Sequence, residues 1–145
     1  MAMAKRTAST EWHGDLAHGG GVVTGASGGF GELPVTWASR TERSGGKTSP
    51  EELIAAAHSS CFSMALAHGL TQAGKPPEYL HVSANVTLDE RDGAPTVTSS
   101  ELTVSGRVPG IDEAEFEQAA ADAGRNCPIS RALGGVEIGV QATLQ

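Results

Sequence analysis

The sequence of 145 residues predicts an α+β fold in the order βββ-α-ββ-α-β, with strands grouped as hairpins instead of alternating with helices. Three observations carry that prediction. The β-branched runs cluster around Gly, Pro and Asp turn residues; one long apolar segment at helical spacing opens on a cap at Ser49; and a second helix cap stands at Asp112. Residues 1–145 fit a single domain, long enough to bury a core of its own.

Thr7 to Trp12 alternates small or polar with larger residues, and Gly19 to Thr24 does the same after a glycine cluster. Leu33 to Ser39 is again strand-like, so the first part of the chain reads as a three-stranded meander. The glycines at 19 to 21 and Gly28, Gly29 and Gly31 are expected to fill turn positions with φ > 0. A dinucleotide-binding reading of them lacks its context, because a phosphate loop opens a helix and here Pro34, Val35 and Thr36 follow. Thr41 to Thr48 is a polar loop. Ser49 at the N-cap, Pro50 at the first helical position and Glu52 at the third then form a capping box. Small or apolar residues at 53, 57, 60, 61, 64 and 68 trace the face expected to be buried, and that face includes Cys61; the helix is expected to end near Gly69 or Gly74. Leu80 to Asp89 and Thr96 to Val108 are two strands around Asp92-Gly93-Ala94-Pro95, a hairpin loop of about four residues. Asp112 caps a helix through Ala123, Gly124 to Pro128 interrupt it, Ile129 to Leu133 restart it, and Val136 to Leu144 close the chain as a strand.

A net charge of -7 with only 10 Lys and Arg, none clustered, argues against nucleic acid or an anionic membrane as partner. Lys5 and Arg6 are not followed by an apolar stretch and no run of about 18 apolar residues occurs, so neither a signal peptide nor a membrane span is expected, and the protein is expected to be soluble and cytoplasmic. Aromatic residues are 4% while Gly is 19, which leaves the core to Ala, Val, Leu and Ile; a partner chain is expected to complete it.

In a reducing compartment structural disulfides are rare, so the two cysteines, Cys61 and Cys127, point to catalysis, redox sensing or metal binding. The thiolate is the nucleophile, and at an ordinary pKa of about 8.5 little of it exists at neutral pH. Cys61 lies about three turns beyond Ser49, past the reach of the helix dipole, and burial raises a thiol pKa, so activation calls for a nearby cation. Arg40 and Arg43, expected at the end of the third strand and in the following loop, are the candidates. Glu51, about 15 Å before Cys61 along a straight helix, can anchor such an arginine, or it can simply complement the helix N-terminus. His58 and Cys61 at i and i+3, with His68 and Cys127, permit a metal reading, but no close CxxC pair supports it and a neutral packing role for His58 is the default. His13, His18 and His81 are expected at the surface. Trp12 and Trp37 are core anchors by default, with the lining of an apolar pocket as the alternative, and Phe62 and Met64 beside Cys61 fit either role.

The run Thr48-Ser49-Pro50-Glu51-Glu52-Leu53-Ile54-Ala55-Ala56-Ala57-His58-Ser59-Ser60-Cys61-Phe62-Ser63-Met64-Ala65-Leu66, together with Cys127-Pro128-Ile129-Ser130, closely resembles the osmotically inducible protein C (OsmC) family, relatives of the organic hydroperoxide resistance proteins. The resemblance extends from Trp12 through Pro109-Gly110-Ile111-Asp112 to the last strand, and the residues around both cysteines are closer to the osmotically inducible branch. It implies an OsmC-like fold, an intertwined homodimer with a long central helix packed on antiparallel sheets. It also implies a thiol-dependent peroxidase acting on organic hydroperoxides and, to some extent, hydrogen peroxide. By position Cys61 is the peroxidatic cysteine, Cys127 the resolving cysteine, Glu51 the carboxylate that orients an arginine, and Arg40 that arginine, with Arg43 its rival. The implied cycle passes through a Cys61 sulfenic acid and a Cys61–Cys127 disulfide, reset by an external dithiol such as a lipoylated protein, with no metal, flavin or haem cofactor. A redox sensor or a stress-associated binding protein, in which the pair oxidises without turnover, needs the same thiolate and partner cysteine, while two buried inert cysteines fit the composition but leave the paired motifs unexplained.

Overall fold

A computed structural model describes residues 1–145. Its elements are β1 (Ala8–His13), β2 (Gly20–Gly25), β3 (Leu33–Val35), α1 (Trp37–Thr41), α2 (Pro50–Gln72), β4 (Tyr79–Arg91), β5 (Ala94–Arg107), α3 (Glu113–Asn126), α4 (Pro128–Ala132) and β6 (Glu137–Leu144). The chain forms two compact units, Met1–Leu53 and Ile54–Gln145, with the boundary inside α2.

In the first unit β1, β2 and β3 make the expected antiparallel meander, Ala8 opposite Gly25 and Gly21 opposite Val35. Of the glycines expected at φ > 0, Gly28 is there, at φ 74, and those at 19 to 21 are not. A Cβ on Gly21 would lie 2.9 Å from the Trp12 ring on the neighbouring strand, so glycine there makes room for the indole. The third strand is shorter than Leu33 to Ser39, because Pro34 has no N–H for the ladder and Thr36 turns the chain into α1. The Thr36 hydroxyl accepts from the Ser39 amide and the Ser39 hydroxyl from the Thr36 amide, both at 3.0 Å, so Trp37 to Arg40 are helical where a strand end was expected. At the start of α2 the Ser49 hydroxyl accepts from the Glu52 amide at 3.1 Å as predicted. The reciprocal half of the capping box is absent: Glu52 takes the Thr48 hydroxyl at 2.7 Å instead.

In the second unit β4 and β5 form a long antiparallel hairpin whose turn is only Asp92 and Gly93, at φ 54 and φ 79, shorter than the loop expected. A register shift leaves Thr98 unpaired, since Thr87 faces Ser99 while Leu88 faces Val97. Beyond it Ser100, Leu102, Val104 and Gly106 all point inward. β6 pairs with β5 in parallel, Ser99 opposite Glu137 through Gly106 opposite Leu144, so this sheet is mixed where antiparallel pairing was expected. The reason is the crossover through α3 and α4, which returns the chain in the direction of β5. Asp112 caps α3 through a full box with Glu115, and the helix runs on through Gly124 to Asn126 before Pro128 restarts it as α4.

The core joins Phe62, Leu66 and Leu70 of α2 to Leu102 and Val104 of β5 and to Phe116 and Ala120 of α3. The buried stripe of α2 is therefore His58, Phe62, Leu66 and Leu70, and not the face through 53, 57, 60, 61, 64 and 68, on which Ala57, Ser60, Met64 and His68 are exposed. Both faces of α2 are rich in small and apolar residues, so spacing alone did not distinguish them. Near the core His58 is fully buried, its Nδ1 2.7 Å from the Ser100 hydroxyl and its Nε2 2.8 Å from the Ser130 hydroxyl. Burial holds its pKa below the ordinary 6.5, so it is the neutral packing histidine expected.

A Cβ at Gly124 would lie 2.6 Å from Val140 Cγ2, where α3 crosses β6. Gly124→Ala is expected to destabilise by about 1–3 kcal/mol, despite its better helix propensity, and Val140→Ala in the same chain to recover part of that loss, read as denaturant midpoints. The depressed pKa of His58 means that the folded state binds fewer protons than the unfolded chain as the pH falls through 6.5. Its contribution to stability is therefore complete above that pH and is lost progressively below it. The denaturation midpoint should fall on acidification through this window in the wild type, and His58→Gln should flatten that part of the profile.

Candidate active site

Arg40 stands in α1, one turn after the Thr36 cap, and Glu51 in the first turn of α2. Both belong to the first unit, and Glu51 is almost completely buried. The carboxylate grips the guanidinium side-on: Nε lies 3.0 and 3.2 Å from the two oxygens and Nη2 2.8 Å from Oε1. Such a two-point pair fixes the plane of the arginine and leaves Nη1 to donate elsewhere. The guanidinium carbon also sits 5.9 Å from the centre of the Trp37 ring. Arg43 lies exposed in the loop after α1, so the structure pairs Glu51 with Arg40.

Neither tryptophan is a buried core anchor. Trp12 and Trp37 line a cavity of about 380 Å³ with Leu16, Val23, Val35 and Arg40, which matches the pocket alternative and not the default. Trp12 is held by its indole N–H donating to the Gly14 carbonyl at 2.9 Å.

In the second unit Cys61 on α2 and Cys127 between α3 and α4 come together, near enough for each thiol to shift the other's titration. Both are free thiols. Cys127 is fully buried, while Cys61 is half-buried on the wall of an apolar groove of about 980 Å³, with Met64, Ala65 and His68 of α2 and Ala119 of α3 along it. Cys127 ends α3 and caps α4, its sulfur accepting from the Ser130 amide at 3.3 Å and lying 3.3 Å from the Ser130 hydroxyl. Pro128 at the first helical position sets that turn.

Burial pushes the Cys61 thiol above its ordinary value; the Ile129 amide pulls against that, and Cys127 adds to the rise. Burial pushes Cys127 up as well, but the Ser130 hydroxyl and amide, the Cys61 thiol and the Ile129 amide together bring it below its ordinary value. The two thiols are thus pushed in opposite directions, Cys61 up and Cys127 down. The sequence argument that Cys61 needs a cation gains force from this arrangement.

Sequence reading did not assign roles to Ser100 and Ser130. Ser130 carried a signal, because a residue three positions after a helix cap is where a capping side chain finds its amide. Ser100 carried none: it meets His58 from a strand 42 residues away. His58 has a serine hydroxyl on each ring nitrogen, and His68 lies on the groove.

The OsmC-like protein family matches residues 43–141. The chain is 40% identical over 122 residues to proteins named peroxiredoxin OsmC from Escherichia coli (strain K12) and Shigella flexneri, covering 84% of this chain and 85% of theirs. Among solved structures it is similar to an organic hydroperoxide resistance protein OsmC from Legionella pneumophila, with a TM-score of 0.73, 23% identity and 99% of both chains covered. The organic hydroperoxide resistance protein OhrB of Bacillus subtilis follows with a TM-score of 0.72 at 22% identity, over 94% of this chain and 98% of that one. Those two likenesses establish the fold, and the family match with the 40% identical relatives establishes the lineage: the chain belongs to the OsmC-like protein family.

Proposed function

We propose that the chain is a thiol peroxidase that reduces organic hydroperoxides, and hydrogen peroxide less well, with Cys61 as the peroxidatic and Cys127 as the resolving cysteine. Its broad class, a cysteine-based peroxidase, rests on its family and on relatives named peroxiredoxins. The observation that carries the finer reading is the pairing of two free thiols from different elements. Cys61 thiolate attacks the peroxide O–O bond, the leaving oxygen departs as alcohol or water, and Cys61 becomes a sulfenic acid. Cys127 then displaces the hydroxyl to form a disulfide, and an external dithiol, such as a lipoylated protein, restores both thiols by exchange. Arg40, its plane set by Glu51, is the cation assigned to Cys61 and to the peroxide oxygen.

The apolar groove beside Cys61 supports a preference for an alkyl hydroperoxide. The face of α2 that carries Met64, 72% exposed in the single chain, supports a homodimer, as does the small aliphatic core. A soluble cytoplasmic protein fits the chemistry, because the cycle needs a reducing pool.

The test is consumption of cumene hydroperoxide and hydrogen peroxide with dihydrolipoamide or dithiothreitol. Many turnovers are expected from the wild type and none from Cys61→Ser, while Cys127→Ser should complete one oxidation and stall. A single stoichiometric oxidation in the wild type would instead mark a redox sensor, and full turnover by Cys61→Ser would reject the assignment. Arg40→Ala should slow Cys61 oxidation at neutral pH by about ten-fold or more through loss of the activating positive charge, with Arg43→Ala nearly silent; the reverse order would move the role to Arg43.

A further inference from the structure

His58, Ser130 and Cys127 form a buried chain of polar contacts that the peroxidase cycle as described leaves unused. Ser100 Oγ lies 2.7 Å from His58 Nδ1, Ser130 Oγ 2.8 Å from Nε2, and Cys127 Sγ 3.3 Å from Ser130 Oγ. All four side chains are buried, with Ser130 the most accessible at 5%. A neutral imidazole has one donor and one acceptor nitrogen, so its tautomer decides which way the Ser130 hydroxyl points. We propose that Ser130, held by His58, is a positioning residue that aims its hydroxyl proton at Cys127 Sγ and keeps that sulfur ready to attack an oxidised Cys61.

In this arrangement Ser100 Oγ–H donates to His58 Nδ1, His58 Nε2–H donates to Ser130 Oγ, and Ser130 Oγ–H donates to the Cys127 thiolate. Every group then uses a donor and an acceptor it possesses, and donors aligned in one direction strengthen one another. The inference rests on the proposed cycle and identifies what serves its second step. Before oxidation the Cys61 thiol lies near enough to the Cys127 sulfur to influence its titration. Once Cys61 is a sulfenic acid that thiol is gone, and the Ser130 hydroxyl remains beside the amides of Ser130 and Ile129 to hold the thiolate.

The step balances without another reactant. The Cys127 thiolate forms the S–S bond as the Cys61 S–O bond breaks. The hydroxide that leaves with the S–O electron pair takes up the proton that Cys127 had released, so thiol and sulfenic acid give disulfide and water. The titratable groups facing Cys127 are Cys61 from α2 and, through Ser130, His58. β5 presents Ser100, and the charged residues nearest in sequence on α3 and α4, Asp122, Arg125 and Arg131, are exposed.

The test mixes reduced protein with one equivalent of cumene hydroperoxide and follows two products across neutral pH. Cys61 sulfenic acid is read by trapping with a dimedone reagent, and the disulfide by mass after alkylation. In Ser130→Ala, which keeps the amide contact, disulfide formation relative to Cys61 oxidation is expected to fall about ten-fold or more at neutral pH, the size of one hydrogen bond to a charged group. The midpoint of its rate against pH should move up, and Ser130→Thr, which restores a hydroxyl, should bring both back. Ser100→Ala, with Ser130 in place, should move the midpoint in the same direction, and nitrogen NMR of His58 should show the proton on Nε2. Ser130→Ala with the wild-type ratio and midpoint, or a His58 proton fixed on Nδ1, would overturn the inference. Absence of any trapped Cys61 sulfenic acid in Cys127→Ser, where no resolving thiol removes it, would instead overturn the peroxidase reading beneath it.

Discussion

One neutral imidazole ties the second unit together at the place where its two cysteines meet. His58 reaches from α2 to Ser100 on β5 and to Ser130 on α4, and both bonds are buried. An unpaired polar group at that depth would cost about 1–3 kcal/mol, so the three elements stay registered by the need to satisfy this ring. Cys61 stands three residues on along the same helix, and Cys127 caps the same short helix that carries Ser130. Both cysteines are thus carried by elements that this histidine joins. Because burial keeps that histidine neutral, it does this without bringing a charge beside the thiols.

The long helix α2 serves two surfaces. Its stripe through Phe62, Leu66 and Leu70 is buried against β5 and α3, while Met64, His68 and Cys61 line an open apolar groove. A helix apolar around most of its circumference is a poor amphipath for a lone chain and a good one for a chain that meets a partner or a substrate on its second face. The β5 bulge that leaves Thr98 unpaired belongs to the same design, since it resets the strand so that Ser100 faces inward, to His58, in line with Leu102 and Val104.

The first unit solves a different problem with different means. It has little core: β1 is exposed throughout, and the tryptophans line a cavity. What it holds firmly is one ion pair, with α1 and the first turn of α2 presenting Arg40 and Glu51 in a two-point grip. A two-point pair of this kind fixes the plane of the guanidinium and leaves part of its fork of donors free.

Much of this was legible in the residues. Ser49-Pro50, Asp112 and Asp92-Gly93 marked their helices and hairpin through local hydrogen bonds and backbone preferences that need no distant partner, and the element order followed from them. The two cysteine motifs identified the family. One error was local, and the others came where a distant neighbour decides. Trp37 to Arg40 became a helix because Thr36 and Ser39 cap each other, although the residues are strand-like. β6 runs parallel to β5 because of the path of α3 and α4. The wrong face of α2 was taken as buried because small and apolar residues lie on both sides of it, and only the packing of Phe116 and Leu102 distinguishes them. Sequence by itself determined which residues can do chemistry, since thiols, guanidinium and carboxylate are properties of residue type. Tertiary structure alone decided that Glu51 grips Arg40 and not Arg43, and that a serine from β5 reaches the histidine beside the cysteines, because hydrogen bonds act over about 3 Å and only the folded chain brings such distant residues that close.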